Sequence, residues 1–515
     1  MSLARSSLVV GLAAIASRLI GFARDVMIAR VLGAGMAADA FLLAFRLPNV
    51  ARRVFGEGGL NAGFVPLYSR IRAERGEAEA GRFAGQAMSG ASVALLGLTA
   101  LVELAAPVVV MALGAGYAAE ADKFALTVIY LRLAFPFVAL AGLASLIGAY
   151  LNADRRYTAA AMAPVLVNVL MIAVLLMLDV PDEETSIRQG WWLSLAVSIS
   201  GLVHLGIVVL ALLRDPGRFT WQRPRLTPDV RRLARRVLPA TAASGATQLA
   251  VVVATAVASQ EASAVSWLYY ADRVAQLPLS LIGVAVGTVL LSEVAARLAA
   301  GDQQGAALAQ ARALEGALAL SLPAAVALAI LAGPISIVLF QRGAFGPEDA
   351  AGTAALLRML ALGLPAAATA KVLAQPFFAR EALRIPIAGG MACLVVTGLA
   401  GLVLQPAMGV AGIGLGLSLG LGVNALVLWG ATRSVVPAFP AGMTRRVMLL
   451  FAASLAMGAG LAAGTRGLAA WLISDHVAVK AGALALLCVS GLVLYAGVAL
   501  IIGAIEPQLL RWRRT

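Results

Sequence analysis

The sequence predicts an all-α polytopic membrane protein with about fourteen transmembrane helices, in two six-helix lobes around a central cavity plus two C-terminal helices. The first observation behind this prediction is composition, since 61% of the 515 residues are hydrophobic and only 13% are charged. Soluble domains carry about 25% charged residues, so the chain falls outside that class. The second observation is the spacing of long apolar runs, and the third is an internal repeat.

Long apolar runs recur along the whole chain. A membrane-spanning helix needs about 20 consecutive, predominantly apolar residues, and about fourteen segments come close to this length. They are residues 6–32, 38–68, 84–113, 125–151, 159–178, 191–213, 230–258, 265–298, 307–339, 350–378, 385–404, 410–432, 447–463 and 479–505.

The positive charge, which gives a net charge of +14, is concentrated in every second loop between the predicted spans. The loop after the sixth span, residues 214–236, is rich in arginine, whereas the loop before that span, residues 179–184, is acidic. Cytoplasmic loops carry the excess of lysine and arginine in membrane proteins. We therefore expect both termini in the cytoplasm, an even number of spans and no nucleic-acid partner.

A weak internal repeat divides the chain. Leu104-Ala-Ala-Pro107 followed by Arg132-Leu-Ala-Phe-Pro136 recurs in the same order as Leu331-Ala-Gly-Pro334 followed by Leu360-Ala-Leu-Gly-Leu-Pro365. Two lobes of six spans would produce this order, and transporters bind substrates between such repeats. We therefore predict an N-terminal lobe in residues 1–215, a second lobe in 216–435 and two additional spans in 436–515.

Charged residues are concentrated in the first two predicted spans. On insertion scales, the free-energy cost of placing one arginine at the centre of a membrane helix is about 2.5–3.5 kcal/mol. Such residues therefore usually line water-filled cavities. An excess of arginine there favours an anionic ligand, and the guanidinium fork matches a pyrophosphate. The charged residues of this stretch that we single out are Arg18, Arg24, Asp25, Asp39, Arg46, Arg52, Arg53 and Glu57.

Further polar residues join this group of candidates. Arg46, Asn49 and Arg53 follow helical spacing in the second span, and Asp272, Arg273 and Gln276 lie in the eighth. A cavity lined by these side chains is one interpretation. A second interpretation, in which buried Arg–Asp pairs only fix the helix register, stays open.

The glycines of the span 410–432 favour close helix packing. Gly412, Gly416 and Gly420 recur at four-residue spacing, as in small-residue helix interfaces. Gly416-Leu-Ser-Leu-Gly420 also matches the nucleophile pattern of hydrolases, but the strand–turn–helix context of that motif is missing from the sequence.

Sequence motifs for catalysis or cofactors are missing. The chain has two histidines and no Walker A motif, which argues against a histidine-based metal site, a Ser–His–Asp triad and ATP hydrolysis. Cys393 and Cys488 lie in apolar runs, so no disulfide framework is expected. We expect a transporter without catalytic residues, metal or cofactor.

Long motifs in this chain resemble those of the MurJ (MviN) family, the lipid II flippases of bacterial peptidoglycan synthesis. They are Ser17-Arg18-x-x-Gly21-Phe22-Ala23-Arg24-Asp25, Gly33-Ala-Gly35-x-x-Ala38-Asp39-Ala40-Phe41, Leu47-Pro48-Asn49-x-x-Arg52-Arg53-x-Phe55-x-Glu57-Gly58, Phe64-Val65-Pro66 and Ser266-Trp267-x-Tyr269-Tyr270-Ala271-Asp272-Arg273. The resemblance extends over essentially the whole chain.

The resemblance implies the fold of the multidrug/oligosaccharidyl-lipid/polysaccharide exporter superfamily. It implies that four arginines contact the lipid pyrophosphate and that the last two spans form a groove for the polyprenyl tail. The arginines are Arg18, Arg24, Arg52 and Arg273; the gating or cavity-lining residues are Asp25, Asp39, Asn49, Arg53, Glu57, Asp272 and Gln276. Gln276 stands where some relatives carry an acid, which puts proton coupling there in doubt.

The implied function is movement of lipid II from the inner to the outer leaflet of the bacterial inner membrane, with lipid II and membrane lipids as partners. An exporter of another lipid-linked saccharide or of drugs uses the same scaffold, although a cationic cavity repels the cationic substrates that drug exporters favour. Two further hypotheses are a membrane-embedded enzyme, which would use Asp25, Asp39, Glu57 and Asp272 as acid–base groups, and a scaffold for cell-wall synthesis enzymes.

The charge pattern makes a testable prediction about orientation. In a cysteine-less background, Gln222→Cys should be protected from a membrane-impermeant maleimide in intact cells, and Glu183→Cys should react, because the two loops lie on opposite sides. Labelling at 222 but not at 183 would reverse the predicted topology.

Overall fold

The computed structural model describes a helical chain. The described residues are 3–54, 60–178, 183–214, 220, 222–285, 293–294, 296–297, 300–380, 382–432 and 442–504. Within these ranges the regular structure consists of nineteen α-helices and one short 3-10 helix, and no strand occurs there. The predicted all-α class is therefore confirmed.

The first ten helices and the 3-10 helix precede residue 259. They are α1 (Leu3–Leu32), α2 (Met36–Val54), α3 (Leu60–Arg75), α4 (Glu77–Leu104), α5 (Ala106–Leu113), the 3-10 helix (Ala115–Ala119), α6 (Ala121–Ala134), α7 (Pro136–Ala153), α8 (Tyr157–Leu176), α9 (Glu183–Leu213) and α10 (Pro228–Ala258).

The remaining nine helices complete the chain. They are α11 (Ala264–Ala285), α12 (Gln303–Phe340), α13 (Pro347–Leu362), α14 (Leu364–Ala379), α15 (Arg384–Met408), α16 (Val410–Thr432), α17 (Met443–Gly467), α18 (Ala469–Leu472) and α19 (Val477–Ile501).

Nine helical segments of the described residues are long and apolar enough to cross a membrane, and a tenth is obtained if α13 and α14 form one bent span. These two helices meet at an angle of 43°. The break follows from Pro365, which lacks the backbone N–H that would continue the helix. Because this count covers only part of the chain, the predicted number of about fourteen spans stays a prediction.

The chain forms two compact units. The first consists of Met1–Gln248, Ser259–Ser266 and Arg342–Phe345, and the second of Leu249–Ala258, Trp267–Gln341 and Gly346–Thr515. The predicted domain boundaries, at 215/216 and 435/436, stay predictions.

Close packing in the first unit brings α1 against α8. A Cβ added at Gly21 would lie 3.3 Å from Nδ2 of Asn168, so the lack of a side chain at Gly21 lets this amide approach the backbone of α1. The contact places a polar residue of α8 beside the charged end of α1.

The glycine stripe of α16 allows this helix to pack closely against α15. A Cβ at Gly416 would lie 2.6 Å from the backbone nitrogen of Gly401 in α15, and one at Gly412 would lie 2.5 Å from the carbonyl carbon of Leu404. The predicted packing role of these glycines is confirmed, because a side chain at either position would push the two helices apart.

Candidate functional site

A buried ion pair on α1 forms the first cluster of candidate site residues. Arg24 donates from Nε and Nη2 to Oδ1 of Asp25, at 3.0 and 2.7 Å, and from Nη1 to Oδ1 of Asn168 at 2.9 Å. Arg24 is 6% exposed and Asp25 is 2% exposed. The guanidinium carbon also lies 5.6 Å from the centre of the Phe45 ring. A cation in this position is held by one carboxylate, one amide and one aromatic face.

Asn168 fixes the orientation of Arg24. Its Nδ2 donates to the backbone carbonyl of Ser17 at 3.0 Å, while its Oδ1 accepts from Arg24. Because one amide group bridges two points of α1, the guanidinium is held relative to the helix backbone. Arg18 lies between these points and is exposed. Two guanidinium groups of one helix are thus presented differently, Arg24 fixed and buried, Arg18 exposed.

α2 contributes buried polar residues to the same unit. Arg46 and Asn49 are both buried, and their spacing of three residues puts them on one face of the helix. For Arg52 and Arg53 the structure describes the helical backbone of α2 but not the side chains. Glu57 lies outside the described residues.

Asp39 is the centre of a second cluster in the first unit. Its carboxylate accepts hydrogen bonds from Lys123 Nζ at 2.9 Å, Ser263 N at 3.1 Å, Ser266 N at 3.0 Å and Ser266 Oγ at 2.6 Å. Asp39 is fully buried, and Lys123 is 3% exposed. Lys123 also lies 4.3 Å from the centre of the Tyr117 ring.

These contacts make Asp39 a cap for the start of α11. The first backbone N–H groups of a helix have no partner within the helix, and a carboxylate satisfies them well. Ser263, just before α11, has φ = 63°, a left-handed conformation that non-glycine residues rarely adopt. Asp39 and Lys123 together hold this strained turn and balance each other's charge.

In the second unit, the polar residues of α11 bond along the helix. Gln276 Nε2 donates to Asp272 Oδ2 at 2.6 Å. Arg273 Nη2 donates to the hydroxyl of Tyr269 at 3.0 Å, with its guanidinium carbon 4.6 Å from the centre of that ring. Each pair is separated by four residues, the spacing that brings side chains together on one helix face.

The chain matches the model of a known protein family over most of its length. A family model described as "Lipid II flippase MurJ" matches residues 28–482. The chain belongs to the MurJ family. The resemblance that the sequence motifs indicate is therefore confirmed.

Relatives of the MurJ family cover most of the chain. A "Probable lipid II flippase MurJ" of Rhizobium meliloti (strain 1021) is 40% identical over 431 residues, 83% of this chain and 80% of the relative. Another, of Rhizobium tropici, is 35% identical over 514 residues, 99% of this chain and 96% of the relative.

Solved structures show the same fold. A lipid II flippase MurJ in an inward closed conformation superposes with a TM-score of 0.79 at 21% identity, covering 98% of this chain and 100% of that one. An inward-facing multidrug resistance MATE family transporter of the MOP superfamily gives a TM-score of 0.67 at 15% identity, covering 84% and 95%. The fold of this chain is thus similar to that of this MATE family transporter.

Sequence reasoning missed Asn168 and Lys123. Asn168 is the sole residue with a strongly hydrogen-bonding side chain between Ala159 and Leu178, and this isolation could have identified it. Lys123 lies just before a predicted span, where a lysine usually faces water, so its burial had no sequence signal.

The Lys123–Asp39 contact predicts a stability effect. Lys123→Ala should lower the thermal unfolding temperature of the purified protein, because breaking a buried ion pair costs about 3–5 kcal/mol. Lys480→Ala is the matched control, since Lys480 is partly exposed. Adding Asp39→Asn to Lys123→Ala should recover part of the loss. Equal unfolding temperatures for wild type and Lys123→Ala would contradict this account.

Proposed function

We propose that the protein moves lipid II from the inner to the outer leaflet of the cytoplasmic membrane by alternating access, without making or breaking a bond. The observation that carries the proposal is the oriented Arg24 of α1, in a chain that belongs to the MurJ family. A buried, fixed guanidinium is suited to a phosphate oxygen, because few of its contacts have to reorganise when the anion arrives.

The pyrophosphate of the lipid is the group that we assign to the arginines. Arg18 and Arg24 are separated by about 9 Å along the axis of α1, at 1.5 Å per residue. In the proposed set, Arg52 and Arg273 complete the anion site. Planar guanidinium groups bind phosphate oxygens in pairs, which a lysine ammonium cannot reproduce.

The acids and amides have a separate proposed role. Asp25 and Asn168 hold Arg24 while the site is empty, and Asp272 and Gln276 hold each other on α11. Asp39 is proposed to be a gating residue, because its buried carboxylate binds both Lys123 and the start of α11. Asn49, Arg53 and Glu57 are proposed to line the path of the headgroup.

The remaining assignments concern the membrane. We propose that both termini face the cytoplasm, that residues 1–215 and 216–435 act as the two lobes, and that the spans in 436–515 accompany the polyprenyl tail. Partners beyond lipid II and membrane lipids, such as cell-wall synthesis enzymes, have no specific observation in their favour.

The proposal predicts loss of transport on removal of each arginine. Arg18→Ala, Arg24→Ala, Arg52→Ala and Arg273→Ala should each abolish or strongly reduce the movement of lipid II in reconstituted vesicles, measured by leaflet-resolved detection of the lipid. Lysine replacements should keep partial activity, since they keep the charge but lose the fork. Arg70→Ala is the control, because Arg70 is exposed and paired with Glu74 on the surface. Normal transport by all four well-expressed alanine variants would rule out the assignment.

The charge of the substrate predicts the energy source. The cytoplasm is negative, so outward movement of an anion runs down the membrane potential, by about 2.3 kcal/mol per elementary charge at 100 mV. Vesicles with an imposed potassium-diffusion potential and no proton or sodium gradient should therefore transport lipid II faster when the potential has the cellular sign. Transport that ignores the potential but responds to a proton or sodium gradient alone would contradict this prediction.

A further inference from the structure

Polar contacts of the described residues attach the helices α17 and α19 to α12. Arg446 of α17 donates from Nε and Nη2 to Oε1 of Glu315, at 3.0 and 2.7 Å. Tyr495 of α19 donates from its hydroxyl to the backbone carbonyl of Ala319 at 2.7 Å. Glu315 and Ala319 are four residues apart, so α12 receives both contacts on one face.

A glycine contact continues the same face of α12. A Cβ added at Gly458 of α17 would lie 2.7 Å from Cγ1 of Val326 and 3.1 Å from Cδ1 of Ile330. The contacted positions, Glu315, Ala319, Val326 and Ile330, are separated by four, seven and four residues and therefore lie on one face of α12. Pro323 lies on the same face.

Pro323 explains why the carbonyl of Ala319 accepts a side chain. In a regular helix this carbonyl would accept from the N–H of residue 323, which a proline does not have. A buried carbonyl without a donor is unfavourable in an apolar environment. The Tyr495 hydroxyl supplies the donor, so it satisfies the carbonyl that Pro323 leaves without a partner inside α12.

The residues of α19 that are buried lie on the same helix face as Tyr495, which bonds to α12. Ala483, Leu487, Gly491, Tyr495 and Ala499 are buried at intervals of four residues. Leu486, Val489, Leu492 and Val493 are exposed, as for a face directed towards lipid. Within the pair, a Cβ at Gly491 would lie 2.9 Å from Leu461 of α17, so the two helices are tightly packed together.

We propose that Tyr495, supported by Arg446, is a positioning residue for lipid transport: its bond to the proline-freed carbonyl of Ala319 fixes the α17–α19 pair on α12. The inference rests on the proposed function. A lipid-linked substrate carries a long hydrocarbon chain that stays in the bilayer while its headgroup crosses. The exposed apolar face of the pair guides this chain only if the pair keeps its place on the second unit.

The test compares two substrates in reconstituted vesicles, lipid II with its undecaprenyl chain and an analogue with a farnesyl chain. Tyr495→Phe keeps the ring and removes the donor, so it should slow transport of the undecaprenyl substrate about fivefold, the scale of one net hydrogen bond. Transport of the farnesyl analogue should not change. Ser490→Ala is the matched control, because the Ser490 hydroxyl bonds only to Leu487 within α19 among the contacts described.

A double substitution separates this mechanism from a general packing effect. Pro323→Ala restores an N–H to the carbonyl of Ala319, so Tyr495→Phe should have no further effect in that background. Hydrogen–deuterium exchange should increase across 477–501 in Tyr495→Phe and remain at its Pro323→Ala level in the double variant.

Each remaining outcome decides against one proposal. Equal losses for both substrates, or no loss and no change in exchange in a folded Tyr495→Phe protein, overturn the positioning role. Lack of lipid II transport by the wild type overturns the proposed function instead, and the exchange measurement then still decides whether Tyr495 fixes the helix pair.

Discussion

The structure depends on one constraint: every charge or free backbone group inside the apolar helices needs a partner, because bilayer and protein interior offer little water. Arg24 has Asp25 and Asn168, and Arg446 has Glu315. Asp39 has Lys123, the N–H of Ser263 just before α11 and the N–H of Ser266 in its first turn. Each set joins elements that are distant in sequence or fixes a side chain within one helix. These polar contacts therefore add specific links to the packing of small and apolar residues that holds other helices together, such as α15 and α16.

Prolines extend this constraint to the backbone. Pro107 cannot donate to the carbonyl of Glu103, and Arg132 Nε donates to that carbonyl at 3.2 Å. Tyr495 does the same for Ala319, four residues before Pro323. Pro107 lies in the first turn of α5, just after the break that follows α4, and Pro323 lies within α12. In both cases a side chain of another helix satisfies the carbonyl four residues before the proline. The prolines thus specify contacts between helices as well as bends within them.

The sequence predicted the features that depend on local pattern. Composition and apolar runs predict the all-α membrane class, and long motifs identify the family, since both are read from neighbouring residues. The position of Arg24 beside Asp25 is also visible in the chain. The isolated Asn168 could be noticed in the sequence, but its pairing with Arg24, and that of Lys123 with Asp39, was not predictable, because the partners lie 144 and 84 residues apart and follow no helical spacing. A proline reveals that a carbonyl four residues earlier needs a donor, but not that Tyr495 supplies it.

The contacts of Arg24 explain why arginine, and not lysine, suits this position. A guanidinium group has five N–H donors, whereas a lysine ammonium has three. Among the described residues, Arg24 uses one N–H from Nε, one from Nη1 and one from Nη2 for Asp25 and Asn168. One hydrogen on each Nη nitrogen then remains for an anion while the resting contacts persist. A lysine that bonded to both Asp25 and Asn168 would keep a single N–H, so it could not bind phosphate oxygens in pairs as the guanidinium fork does. The arginine therefore combines a fixed orientation with the capacity to bind, which a transporter needs if its site is to accept and release the same anion without rebuilding the helix contacts around it.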